Sequence, residues 1–192
     1  MTAAAAGPSG IVVDLADHFN NRGLSAVEGK GSGGFNVWSN TFPAEQLPAP
    51  GSEPVIDGVR FRFPAQDSGG ADNLRCAGQL VAVPQGRYEW IHVLAAAERH
   101  SEDFVYLHFA DGAADSEWLR VSDFWPQTPG QFGGREAFRC TVLHYPRHVQ
   151  PDMAPVIWRH RVPVPREADL TAVRLPDNPA IHIFAMTLLD PR

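Results

Sequence analysis

From Val59 onward, apolar and polar positions alternate in short runs. Val59, Phe61 and Phe63 are interleaved with Arg60 and Arg62, a period of two that puts one set on each face of a strand. Runs rich in β-branched and aromatic residues follow at 79–83, 88–95, 104–109, 118–121, 138–145, 156–164, 170–175 and 181–188, and a shorter one stands at 11–15. Between them lie turn signals: Pro84-Gln85-Gly86, Asp111-Gly112, Pro129-Gly130, Gly133-Gly134, Pro146 and Pro176-Asp177-Asn178. The one helix-like run, 94–98 around Ala95, Ala96 and Ala97, is short and continues a strand. Two stretches lack periodicity. Residues 20–34 form a polar loop carrying Gly29, Gly31, Gly33 and Gly34, without the strand and helix of a phosphate-binding fingerprint. Residues 42–50 form an extended turn. Many short strands with tight turns predict an all-β sandwich or barrel. With no internal repeat and no linker, 11–192 is expected to form one β-sandwich domain behind a disordered leader at 1–10.

Composition narrows this picture. Gly and Pro number 17 each in 192 residues, which excludes a bundle of long helices, and 44% hydrophobic residues exclude a wholly disordered chain. The net charge is −6 with histidine neutral, and protonating all 8 histidines would bring it to +2, so histidine placement matters. An acidic chain without a basic block is not built for nonspecific nucleic-acid binding. The first ten residues lack the basic and apolar regions of a signal peptide, and no apolar run is long enough to span a membrane. The expectation is a cytoplasmic protein as the chain stands, or an extracellular one if it was cut from a longer secreted protein. Lys30 is the only lysine among 16 Lys and Arg, which leaves arginine as almost the only cation for a site. Cys76 and Cys140 show no CxxC or zinc-finger spacing, and the expectation is two buried free thiols rather than a disulfide or a reactive nucleophile.

Several phrases in strand order carry a family resemblance. They are Val13-Asp14-Leu15 with Phe19-Asn20-Asn21 and Gly23-Leu24; Phe42-Pro43-Ala44-Glu45 with Leu47-Pro48; Asp72-Asn73; and Gly86-Arg87-Tyr88. Phe109-Ala110-Asp111-Gly112, Ser122-Asp123-Phe124-Trp125 and the closing 181–188 run continue the series. Together they resemble the galactose-binding-like accessory domains attached to bacterial glycoside hydrolases. The resemblance implies an antiparallel jelly-roll β-sandwich, often with carbohydrate binding. Asp111, Asp123 and Trp125 match it most closely. Asp111-Gly112 is also what any tight turn prefers, and Asp123 suits either a local cap or one ligand of a structural calcium. The sequence departs from the pattern at Asp123-Phe124-Trp125, where the family usually has Asp-Trp.

Five histidines fall inside strand-like runs: His92, His108, His144, His160 and His182. Parity leaves Tyr106 and His108 opposite Val105, Leu107 and Phe109, and leaves Trp90 and His92 opposite Ile91, Val93 and Ala95. If these strands share one sheet, Trp90, His92, Tyr106, His108, His144 and His160 line a single surface. Aromatic rings stack on sugar C–H faces and imidazoles bond hydroxyls, so this surface suits a carbohydrate or similar polar small molecule. The same set suits a His-bound transition metal or acid–base chemistry, and scattered half-buried histidines are the structural alternative. Arg159, beside His160, either solubilises the strand or grips an anion. Trp38, in the glycine-rich region, either folds over a ligand as a lid or plugs the end of the sandwich. No required cofactor is expected. The readings in competition are a sugar-binding module, a stand-alone enzyme on the same sandwich using His, Tyr and Arg, and a homodimer through an exposed sheet face. There is no Gly-x-Ser-x-Gly elbow, and no sequence cue pairs two carboxylates.

Overall fold

Period-two runs become strands whose two faces have different neighbours. The computed structural model describes residues 10–65, 70–125, 127 and 129–191. In chain order the early strands are β1 (Gly10–Val13), β2 (Leu24–Ser25), β3 (Phe42–Pro43), β4 (Val55–Ile56), β5 (Val59–Arg60) and β6 (Leu74–Arg75). The long strands follow: β7 (Leu80–Gly86), β8 (Trp90–Ala97), β9 (Ser101–Phe109) and β10 (Ala114–Val121). The last six are β11 (Arg135–Arg139), β12 (Val142–His144), β13 (Val149–Pro151), β14 (Val156–Pro163), β15 (Leu170–Arg174) and β16 (Ile181–Leu189). A six-stranded sheet runs β1-β16-β8-β14-β11, with β6 also paired to β16, and a four-stranded sheet runs β10-β9-β15-β7. Every pairing in both sheets is antiparallel. The expected all-β antiparallel sandwich is therefore what the chain forms.

The main core lies between these sheets. Ile91 and Val93 from β8 and Ile183, Met186 and Leu188 from β16 meet Val105, Leu107 and Phe109 from β9 and Val173 from β15. The large sheet has a second apolar face. Leu94, Ile157, Phe184 and Ala185 pack there against Phe35, Phe42, Phe61 and Phe63 from the irregular segment before β6. Each fully buried phenylalanine contributes roughly 2–3 kcal/mol of transfer free energy. Burial on both faces explains why β16 has no exposed residue and reads as a continuous apolar run. A register shift between Ile183 and Ala185 puts Phe184 and Ala185 both in the second core, while Ile183 and Met186 both enter the first.

Several boundaries differ from the sequence expectation. The run at 79–83 continues through Pro84 to Gly86, because β7 is an edge strand and a missing N–H there breaks no ladder. The run at 138–145 breaks into β11 and β12, which belong to different sheets. The extended turn at 42–50 opens with β3 and a 3-10 turn at Ala44–Gln46. Residues 1–9 of the expected leader lie outside the described residues, and Gly10 already pairs with Leu189. Asp111-Gly112 is a turn: the Asp111 carboxylate accepts from Ala113 N at 2.9 Å, and Gly112 has φ +85°. Cys76 and Cys140 are free and buried; burial pushes the Cys76 thiol far above its ordinary range and that of Cys140 up to about 12. Neither is a thiolate at neutral pH. No helix among the described residues is long and apolar enough to cross a membrane.

Three strand histidines are held neutral by burial. His160 Nε2 accepts from Ser122 N at 3.0 Å, and His92 Nδ1 accepts from the Arg159 guanidinium at 3.0 Å. His182 Nδ1 bonds Asn73 Oδ1 at 2.8 Å, which makes the imidazole the donor. Burial, aided by nearby arginines, lowers His92 and His160 to about 4 and His182 to about 3. Beside His182, the buried Asp72 accepts from Gly23 N at 2.7 Å, Leu24 N at 3.0 Å and Asn73 Nδ2 at 2.8 Å, tying the irregular segment to the sheet. Its burial outweighs these bonds and raises its pKa to about 6.

Two expected outcomes follow from these groups. Unfolded histidine titrates near 6.5, so each buried imidazole contributes full stability above that pH and loses it as pH falls toward its folded value. Asp72 has the opposite sign: its contribution is full below 3.8 and is lost as pH rises toward 6. Near pH 5 the three histidines take up nearly three protons on unfolding and Asp72 releases nearly one. Urea melts between pH 6 and 4.5 should therefore show stability falling by about 2–3 kcal/mol per pH unit on acidification. A flat profile there contradicts the neutral, buried imidazoles. Second, Asp72→Ala strands two buried backbone N–H groups and should cost about 2–4 kcal/mol in the same melts at pH 7.5.

Candidate functional site

A wide cleft lies at one end of the sandwich, and a short self-bonded loop builds one wall. Phe35 N donates to Asn40 O at 2.7 Å, and the Asn36 side-chain oxygen accepts from Trp38 N at 3.1 Å and Asn40 N at 3.2 Å. Asn36 Nδ2 donates to Asn40 Oδ1 at 2.9 Å, and Ser39 takes the left-handed conformation that closes the turn. Asparagine suits this place because its short amide can satisfy the backbone of a tight turn. Phe35 anchors the loop in the second core, its ring 4.3 Å from that of His182 and 4.9 Å from that of Phe124. The tip is left outside: Val37 is 78% exposed and Trp38 64%.

The facing wall is the segment after β10. Phe124 N donates to Ala97 O at 3.0 Å, and the Asp123 carboxylate accepts from Trp125 N at 2.9 Å. Trp158 Nε1 fixes the Asp123 carbonyl at 2.8 Å, so the Asp123-Phe124-Trp125 turn is held from three sides. The floor comes from the end of β8, where Glu98 N donates to Ala180 O, and from Arg75 on β6, whose Nε donates to Pro179 O at 3.0 Å. These elements enclose a cavity of about 600 Å³ lined by Trp38, Trp125, Phe124, Arg75, Arg99, Glu98 and Asp123 among others. Burial raises the Glu98 pKa; Arg75 and Arg99 pull it down and Asp123 pushes it up. The cleft therefore offers aromatic faces, guanidinium donors and a carboxyl that gains a proton more readily than an exposed one.

Of the residues expected to bind a ligand, only Trp38 lies in this cleft, where it meets Asp123 and Trp125, which the family resemblance marks. The single surface expected for Trp90, His92, Tyr106, His108, His144 and His160 does not form, because their strands belong to different sheets and faces. Trp90, His92 and Arg159 do share one face of the large sheet: Arg159 bonds His92, and the Arg161 guanidinium sits 4.1 Å from the Trp90 ring centre. His160, one position from Arg159 on β14, points to the other face of that sheet. Tyr106 and His108 lie on the outer face of the small sheet, near Phe104 and Trp118, whose ring centres are 4.0 Å apart.

His144 sits in a fourth place, and with it comes a constellation that sequence reasoning missed. Its Nδ1 is 3.0 Å from Ser25 Oγ and its Nε2 is 3.4 Å from a Glu45 carboxylate oxygen. Hydroxyl, imidazole and carboxylate in a row resemble a nucleophilic triad. Ser25, however, is buried and shares its hydroxyl with Thr41 Oγ1 at 2.5 Å, so no substrate carbonyl can approach it. The cluster ties β2, β3 and β12 together. Among the described residues, no three His, Cys, Asp or Glu side chains converge on a point that could hold a metal.

Arg75, Glu98 and Arg99 are the cleft residues without a sequence signal of their own. One hint was available: Glu98-Arg99-His100 is a charged cluster directly after the apolar end of β8, where loops on a rigid strand carry binding groups. Asp123 and Trp125 stand out in the sequence only through the family resemblance. No curated protein matches the chain. The model of the AziU2-like beta-sandwich domain, in contrast, matches residues 9–192. A match over nearly the whole chain, to a family whose described architecture is the one found here, makes this protein a member of the AziU2-like beta-sandwich domain family.

Proposed function

We propose that the domain binds a small polar molecule of sugar size in the cleft between Trp38 and Trp125. The observation that carries this reading is the aromatic-walled cavity of about 600 Å³ with charged groups at its base. Its volume suits one or two sugar rings, and most of its exposed lining is apolar carbon with a few converging polar groups. Indole faces stack on the C–H face of a pyranose, while Arg75, Arg99 and the two carboxyls bond its hydroxyls. The resemblance to galactose-binding-like accessory domains supports the same ligand class. This reading puts binding at the end of the sandwich instead of on a histidine-bearing sheet face.

A second reading is an enzyme in the same cleft, favoured by the raised Glu98 carboxyl beside Asp123. A carboxyl that holds its proton more readily than an exposed one can serve as the general acid on a bound substrate. Hydrolysis of a 4-nitrophenyl glycoside, lost in Glu98→Gln with the fold intact, is the outcome that would favour it.

Titration with galactose, glucose, xylose and N-acetylglucosamine, followed by amide chemical shifts, tests the binding reading. We expect millimolar affinity for at least one sugar, weakened at least tenfold by Trp38→Ala and unchanged by Trp118→Ala on the outer sheet face. No shift up to about 50 mM of any of these sugars, or loss of binding in Trp118→Ala alone, rejects the cleft as the sugar site. Because a charged carboxylate accepts from a hydroxyl better than a protonated one, affinity should rise as pH passes upward through the elevated Glu98 titration. Glu98→Gln should flatten that rise.

A further inference from the structure

A second concave region lies on the outer face of the large sheet, away from the cleft. β11 pairs with β14 so that Arg135 stands directly opposite Arg159. Cross-strand partners point to the same side, and like charges placed opposite one another repel. Arg161, two residues along β14, shares that side, with its guanidinium held over Trp90 at 4.1 Å. The three arginines line a cavity of about 200 Å³ completed by Phe132, Gly133 and His160, with no carboxylate in its wall.

Arg159 is the fixed member of the three. Its side chain is only 15% exposed, and its guanidinium donates to Asp57 Oδ2 at 2.9 Å and to His92 Nδ1 at 3.0 Å. Its Nε is buried and makes no hydrogen bond to the described residues. Asp57 reaches the group from the adjoining cavity, where Glu89 and Asp190 also lie. No ion pair joins Arg135 to a described carboxylate, and no carboxylate stands among the residues lining the smaller cavity. A side chain locked by two bonds, a second stacked on an indole and a third forced to face them form a preorganised fork for an anion.

We propose that Arg135, Arg159 and Arg161 bind a tetrahedral oxyanion, phosphate or sulfate, either as the free ion or as the end group of an ester. The cavity volume fits one such group, and the anion removes the repulsion that the strand register imposes. The arginines explain each other in this way: the Arg135–Arg159 pairing is unfavourable alone and favourable around a shared anion.

Thermal melts of the full chain in sodium chloride, phosphate and sulfate at equal ionic strength test this, with phenyl phosphate as the ester. We expect phosphate or sulfate to raise the melting temperature by about 3–5 °C at ten times Kd, with Kd below about 1 mM. Arg135→Gln should weaken binding at least tenfold, yet in chloride alone it should melt no lower than the parent, because it relieves the like-charge pair. Arg161→Gln should weaken binding without removing the Arg159 bonds. Tighter binding of phenyl phosphate than of phosphate identifies the ester as the natural form, and equal binding identifies the free ion. The proposal is overturned if both anions act no more strongly than chloride, or if they stabilise Arg135→Gln as much as the parent. It is also overturned if Arg75→Gln in the cleft, rather than the β11 and β14 variants, abolishes the effect.

Discussion

The packing of Phe35 against Phe42, Phe124 and His182 is the contact on which the rest of this structure depends. Phe35 comes from a segment with almost no regular structure, while Phe124 follows β10 and His182 is the second residue of β16. Phe42 extends the cluster to Phe184 at 5.9 Å, in the middle of the large sheet. Without this roof the large sheet would present a row of apolar side chains to water. With it, an irregular stretch of chain is ordered by burial rather than by a backbone ladder. The cleft is the outer edge of the same cluster, since Trp38 is three residues from Phe35 and Trp125 is next to Phe124.

The strands were legible because half-buried sheets leave a period of two. The parity of Val105, Leu107 and Phe109 against Tyr106 and His108 holds on β9, and Ile91 and Val93 against Trp90 and His92 holds on β8. Which strand joins which sheet was not legible, because parity carries no information about long-range partners. That is why the histidines did not assemble on one surface: β9 entered the small sheet and β12 left both. The second core was also hidden. Phe35, Phe42, Phe61 and Phe63 are spaced by glycines, prolines and turns, with no period linking the first two to a face. Trp38 stands out in the sequence as an aromatic in a glycine-rich region, open to both the lid and the plug readings. Arg75, Glu98 and Arg99 converge only once β6, β8 and β16 are side by side.

Electrostatics divides the molecule in a way the net charge conceals. The histidines that raise the prospect of a sign change in mild acid are in part unavailable to it, since His92, His160 and His182 are neutral in the fold. Their protonation is coupled to loss of structure instead of to a change of surface charge. The arginines do the opposite. Several exposed ones are matched by carboxylates, as Arg166 is by Asp115 and Arg120 by Glu102. Such pairs in water contribute little. The crowding of Arg135 against Arg159 is of another kind, built into the backbone register itself.

The loop from Phe35 to Asn40 separates what holds it from what it displays. Its anchor is one buried ring, and its shape is fixed by the two asparagine amides at its ends; neither uses the side chains of Val37 and Trp38. The two tip positions are thereby released from the demands of folding. Exchanging them alters the wall of the cleft while the foundation stays in place. A scaffold of this kind can acquire new selectivity by single replacements, without first having to find compensation elsewhere in the chain.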